Sequence, residues 1–345
     1  MRMGRLLLLG AVLGCAGCGH ASPSRLTASE TPGTTAAFVD SGAALLGSLA
    51  GVPLFPADNW WNLDISSAPV DPGSAGYIAW ISGTVGVSSA TAAPHLHPDF
   101  GPPPYGIPYC VVAGSQPLEL VNFSPYGSES DPGAPGRPPG YPIPVAARTQ
   151  PNWIEGAVPG GGTGGDRHLL VVDRDHHLLF ETWATHWNAT AQRWDAGSGA
   201  TFDLNSNARR PDGWTSADAA GLAILPGLVR YDEIGGTITH AFRVTLRATN
   251  GDVWPASHAA GNTLGAPPMG ARLRLKAARD LSAYAPEVRR IFQAMKTYGL
   301  IVADNGTDMY ISGTMDARWD NGVLNPAFAS LTADDFEVVQ LGWQP

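Results

Sequence analysis

Short apolar runs separated by turn residues dominate the chain. IPYCVV, LELVNF, HLLVVD, LLFETW, ATFDL, HAFRVTL, ARLRLK, LIVAD, MYIS and FEVVQL are divided by clusters of Gly, Pro, Asn and Asp. Runs of this length with these punctuations predict strands, and their succession predicts a sandwich rather than alternating βαβ units. One stretch has a different period. In APEVRRIFQAMKTYG, Val288, Ile291, Phe292, Met295 and Tyr298 fall on one helical stripe, with Pro286 in the first turn and Gly299 at the stop. The expected fold is all-β dominated: an antiparallel β-sandwich, jelly-roll-like, with one packed amphipathic helix. No internal repeat supports a propeller or solenoid. Two long stretches without periodicity, 123–165 and 203–227, are expected to form cleft walls carrying Trp153 and Trp214.

Register sharpens the picture. With Arg174 to His177 as an even turn, Asp173 faces Leu178, Leu170 faces Glu181 and His168 faces Trp183. Leu169, Val171, Leu178, Phe180 and Thr182 then form a core surface. The opposite face presents His168, Glu181 and Trp183, with Leu170, Val172 and Leu179 nearer the turn. In LIVADNGTDMYIS, Asn305-Gly306 is a hairpin signal that pairs Ala303 with Asp308 and Ile301 with Tyr310. Asp308, Tyr310 and Ser312 then share a polar face. Arg243 and Thr245 in one strand, and Arg272, Arg274 and Lys276 in another, alternate with apolar residues in the same way.

Composition adds export and removes some partners. The chain has 345 residues, 42 Gly and 30 Pro, and only 15% of its residues are charged, which excludes a long helical bundle. Its 11 Trp offer flat apolar area with one donor each, suited to a sugar face or to a β core. MRMGRLLLLGAVLGC reads as a signal peptide, residues 1–14, followed by a Ser/Thr/Ala/Gly-rich tether, residues 15–51, and a single domain, residues 52–345. VLGC resembles a bacterial lipobox, which implies acylation of Cys15, a membrane-anchored lipoprotein, and a site of work on the periplasmic or extracellular face. Removing Arg2 and Arg5 with the leader takes the formal charge from −9 to about −11. No basic run exists, so nucleic acid is not an expected partner. Cys110, the one cysteine left in the domain, reads as a small buried hydrophobe.

Several chemistries remain. A glycoside hydrolase needs two carboxylates across the scissile bond. Glu181 is the first choice, with Asp308 as partner and Asp304, Asp316 or Asp166 as alternatives. His168 and Tyr310 would orient or shuttle protons, while Trp183, Trp214, Arg243 and Arg272 would hold substrate. A polysaccharide lyase is the second reading, with an arginine on a uronate carboxylate and His168 and Tyr310 as base and acid. A non-catalytic glycan-binding lipoprotein is the third. A metal site is a further alternative: HLHPD sets His95, His97 and Asp99 at alternate positions, and His240 or His258 would complete it. No cofactor is required by the first reading. Ser216 lacks a nucleophile elbow, and Asp218 beside it reads as a loop residue. The expected partners are a polysaccharide and, through Cys15, the membrane, with the protein a monomer.

The phrases FPADNWWNLDIS, HLHPDFG, GDRHLLVVD, SGATFDLNSNARRPDGWTSADAAGLAILPGLVRYDEI and ADNGTDMYISG resemble those of a family of secreted, largely uncharacterised microbial proteins. The resemblance covers the chain from about Phe55 onward. It implies extracellular work and assigns no catalytic role to any residue.

Overall fold

The structure, a computed structural model, describes residues 42–83 and 94–345. The leader, Cys15 and the tether up to residue 41 lie outside the described residues. The strands in chain order are β1 Ala44–Leu45, β2 His97–Asp99, β3 Tyr109–Val112, β4 Val121–Phe123, β5 Leu169–Asp173, β6 Leu178–Trp183, β7 His186–Asn188, β8 Arg193–Ala196, β9 Ser198–Asp203, β10 Phe242–Leu246, β11 Arg272–Leu275, β12 Leu300–Asn305, β13 Tyr310–Ser312 and β14 Phe336–Val338. The helices are α1 Ser74–Ile81, α2 Val145–Thr149, α3 Pro286–Thr297 and α4 Asn321–Phe328. No helix among the described residues is long and apolar enough to cross a membrane.

Every apolar run singled out above contributes a strand. β1 adds an edge pairing to β3 from within the stretch read as tether, so the ordered fold begins before Val52. The helix falls where its stripe puts it: α3 buries Val288, Ile291, Phe292 and Met295, and Gly299 follows at φ +77, a conformation that costs glycine little.

Strand-rich is correct; antiparallel throughout is not. A five-stranded sheet runs β1-β3-β5-β6-β9, a six-stranded sheet runs β14-β11-β12-β10-β13-β2, and a small sheet runs β4-β8-β7. All are mixed: β3–β5, β4–β8, β10–β12 and β13–β2 pair in parallel. A jelly roll is an antiparallel architecture, and these pairs depart from it.

The β5–β6 hairpin has the expected register, with Leu170 opposite Glu181 and Asp173 opposite Leu178. Its environment differs from expectation, because the five-stranded sheet is covered on both faces. Leu169, Val171 and Phe180 enter a second core beneath the 123–165 stretch, together with Trp153. Trp153 is therefore packing, not cleft wall. Leu170, Val172 and Leu179 enter the main core, which also receives Phe242, Val244 and Ile311 of the six-stranded sheet. The hairpin face assigned to chemistry thus points inward.

The Asn305-Gly306 hairpin does not form. β10 lies between β12 and β13 and bonds to both. Phe242, Val244 and Leu246 are wholly buried, and a strand so apolar gains by having neighbours on both edges. The connection wraps the end of β10 instead: Gly306 N–H donates to Leu246 O (2.8 Å) and Met309 N–H to Thr245 O (2.9 Å).

Candidate active site

The loop 204–224 crosses the inward face of the hairpin and is fastened there by buried polar groups. Nδ1–H of His168 donates to Glu155 Oε2 (2.7 Å) and Nε2–H to the carbonyl of Ala217 (3.1 Å). Both acceptors need a proton, so the ring is an imidazolium. Burial opposes that charge, but the Glu155 carboxylate outweighs it and holds the pKa at about 9. The Glu181 carboxylate accepts N–H bonds from Ile224 (2.8 Å) and Leu225 (2.9 Å) and is wholly buried. Ser198 Oγ donates to Ser216 O (2.7 Å), and the Ser216 hydroxyl is itself engaged by Leu222 O (2.6 Å) and the Asp218 N–H (2.8 Å). Gly221, at φ +73, lies so close to Ser257 that a Cβ would stand 2.0 Å from its hydroxyl. His168, Glu181 and Ser216 are therefore fasteners of a loop. The proton shuttling expected of His168 and the acid/base or nucleophile role expected of Glu181 thus fall on groups that hold this loop.

The fastened loop delivers Asp218 to Arg243. The guanidinium, on the polar face of β10, donates Nη1–H to Ser312 Oγ (2.6 Å) and Nη2–H to Asp218 Oδ1 (2.7 Å). The same Nη2 stands 3.5 Å from Asp304 Oδ2, at the end of β12. Two carboxylates therefore face one cation. Burial, then Asp218, raises Asp304 to about 6. Burial also raises Asp218, and Arg243 only partly offsets it. Asp218 Oδ2 is buried and has no hydrogen-bond partner among the described residues.

These two carboxylates line a pocket of about 290 Å³. Trp183 and Tyr126 form one wall, their ring centroids 6.1 Å apart, and Asp166 holds the Trp183 indole N–H at 3.2 Å. His258 and Asn305 complete the rim. Nδ1–H of His258 donates to Ala219 O (2.7 Å), so in the neutral ring Nε2 is the open acceptor.

Other expected residues lie elsewhere or play other parts. Asp308 is held by the Arg247 backbone N–H (2.7 Å) and guanidinium (2.6 Å), and it makes no contact with Glu181. Asp316 pairs with Arg318 (2.6 Å). Arg272 is buried under Trp60, donating to its carbonyl, and Trp214 sits 5.5 Å beneath the Arg210 guanidinium. Tyr310 stacks on His97, which stacks on His95, with centroids 4.6 and 4.2 Å apart. Asp99 follows on the same strand face. His240 instead bonds Glu233 (3.0 Å), and no group of three metal-ligating side chains is placed to hold an ion among the described residues.

A larger cavity, about 710 Å³, opens between residues 48–57 and Arg230, Glu233 and His240. Its charged groups satisfy one another: Glu233 accepts from both Arg230 (2.5 Å) and His240 (3.0 Å). Burial opposes ionisation of Glu233, but these two partners pull it down to about 2.

Sequence reasoning missed Asp218, Tyr126 and the outward nitrogen of His258. The one signal for Asp218 is its place in a long stretch without hydrophobic period, which does not separate a turn residue from a pocket residue. No known protein family, curated protein or solved structure matches the chain.

Proposed function

We propose that this protein is an exported, carbohydrate-active enzyme, a glycoside hydrolase acting on a polysaccharide in the Trp183 pocket. The observation that carries the reading is the Asp218–Asp304 pair sharing one guanidinium nitrogen beside an aromatic wall. Burial and the like charge of Asp218 raise Asp304 to about 6, so its carboxyl holds a proton in mildly acidic solution. The closer guanidinium contact puts the negative charge on Asp218, so Asp304 keeps the proton. Asp304 then serves as general acid to the leaving oxygen as the glycosidic bond breaks, water adds to the sugar carbon and gives its proton to solvent, and the buried Asp218 carboxylate holds negative charge behind the site without touching substrate. Burial raises Glu181 as well, to about 7, but it is enclosed against the Ile224 and Leu225 N–H groups and does not line the pocket, so it supports the loop in this reading.

The lyase alternative is less well supported. It needs a cation free to meet a uronate carboxylate, whereas Arg243 is engaged by Asp218 and Ser312 and Arg272 is buried away from the pocket. A purely glycan-binding module would have no use for an acid poised at about 6. We further read the two larger sheets as a sandwich, since the main core draws on both. The Cys15 lipobox supports a lipoprotein anchored outside the cytoplasmic membrane, and the resemblance of the sequence phrases supports extracellular work; we read the protein as a monomer.

The test is a panel of neutral and uronate-containing polysaccharides, followed for new reducing ends and for ultraviolet absorbance of unsaturated products. Reducing ends without absorbance, lost in Asp304→Asn, are expected. Absorbance rising with the reducing ends would make the enzyme a lyase. Silence across the panel would remove the hydrolase reading.

A further inference from the structure

Four strands of the six-stranded sheet align a row of side chains on its polar face. Asp304 of β12 is opposite Thr245 of β10, Thr245 is opposite Tyr310 of β13, and Tyr310 is opposite His97 of β2. Cross-strand partners share a face, and the Tyr310–His97 ring stack fits that placement. The row therefore runs from the pocket's acid to an aromatic strip three strands away, about 14 Å at ordinary strand spacing. A single sugar does not cover that length, whereas a polymer does.

The strip itself is open. His95, His97 and Tyr310 are all half-buried rather than enclosed. Among the described residues none of their ring nitrogens or the hydroxyl has a hydrogen bond, so the rings expose polar edges as well as flat area. Burial, then the neighbouring His95, lowers His97, which favours a neutral ring. Asp99, two residues along β2 and opposite Ser312, is exposed, yet burial is the main cause raising its carboxyl. Stacked rings beside polar acceptors suit a sugar better than a metal, for which no group of three ligands is placed among the described residues.

We propose that His95, His97 and Tyr310 form a remote subsite that holds a further unit of the glycan chain cleaved at Asp304, making the enzyme one that binds along a polymer. This rests on the hydrolase reading. The strip acts by positioning substrate and does not touch the reacting bond.

The test compares Tyr310→Ala and His97→Ala with wild type on size-graded oligosaccharides prepared from cellulose, xylan, arabinan and laminarin. The expected result is a loss of about tenfold in kcat/KM on the longest chains and little change on the shortest one cleaved. Tyr310→Phe, which keeps the ring, should retain most of the long-chain advantage and guards against a folding defect. Equal effects on long and short chains, or none on either, would overturn the subsite while leaving hydrolysis standing. Calorimetric titration of Asp304→Asn with the same long chains gives a second readout. If wild type cleaves none of them and Asp304→Asn binds none, both the subsite and the hydrolase reading fall.

Discussion

Two buried arginines, each beside a cavity, carry opposite electrostatic designs. At Arg230, one carboxylate, Glu233, receives both the guanidinium and the His240 ring, and its pKa falls to about 2. At Arg243, one guanidinium receives two carboxylates, and Asp304 rises to about 6. The residue types are alike; the ratio of charges is inverted. Excess cation makes a locked ion pair, which holds structure but has no proton to give. Excess carboxylate leaves a proton in play near neutrality, which is what acid catalysis requires. The smaller cavity is for that reason the better candidate for chemistry.

The comparison breaks most visibly at Asp304. Asp304→Asn is expected to lower cleavage about 10²- to 10⁴-fold, as loss of a general acid does. Its stability should move the other way. A pKa raised from 3.8 to about 6 means that the contribution is present below the unfolded value and lost as pH rises through the folded one. Melting curves between those limits should decline for wild type more than for the variant; identical profiles would count against the raised Asp304 carboxyl.

Glu233→Gln tests the other arginine. It leaves Arg230 and His240 without their anion, and urea unfolding should show a loss of about 3–5 kcal/mol. Glu233 has a depressed pKa, so its stabilisation is present above about 4.5 and is lost as pH falls toward about 2. Acid melts of wild type should show that loss and those of the variant should lack it.

A third expectation concerns His168. Its pKa is raised, so its stabilisation is complete below 6.5 and lost as pH rises through about 9. Glu155→Gln removes the cause, and the midpoint of that alkaline loss should shift to lower pH. The smallest effect belongs to Glu181→Gln, which keeps one oxygen for the Ile224 and Leu225 N–H groups. We expect about 1–2 kcal/mol of destabilisation and turnover within twofold of wild type. A large loss of turnover in a stably folded variant would return Glu181 to the catalytic list.

Local pattern made some of this legible. The stripe of α3 and the register of β5 with β6 depend on neighbours in sequence, and both were readable. Which face of the hairpin is wet depends on what covers it, and Leu170, Val172 and Leu179 look the same under water or under another sheet. Glu181 therefore has the expected register and an unexpected burial. The Asn305-Gly306 signal failed because β10, made about fifty residues earlier, competes for both flanking strands. Asp218 and Asp304 meet only through Arg243, a contact that no spacing along the chain encodes.

The wrapping of the 306–309 connection around the end of β10 has a kinetic consequence. β12 and β13 are close in sequence but have no direct ladder to close, so their local proximity cannot speed assembly. Each must find β10 from a distance, and the acid at the end of β12 comes into position with that search. Folding of the six-stranded sheet should therefore be governed by loop closure over long separations. Native pairing of the six-stranded sheet after dilution from denaturant should lag the formation of α3, whose contacts are local.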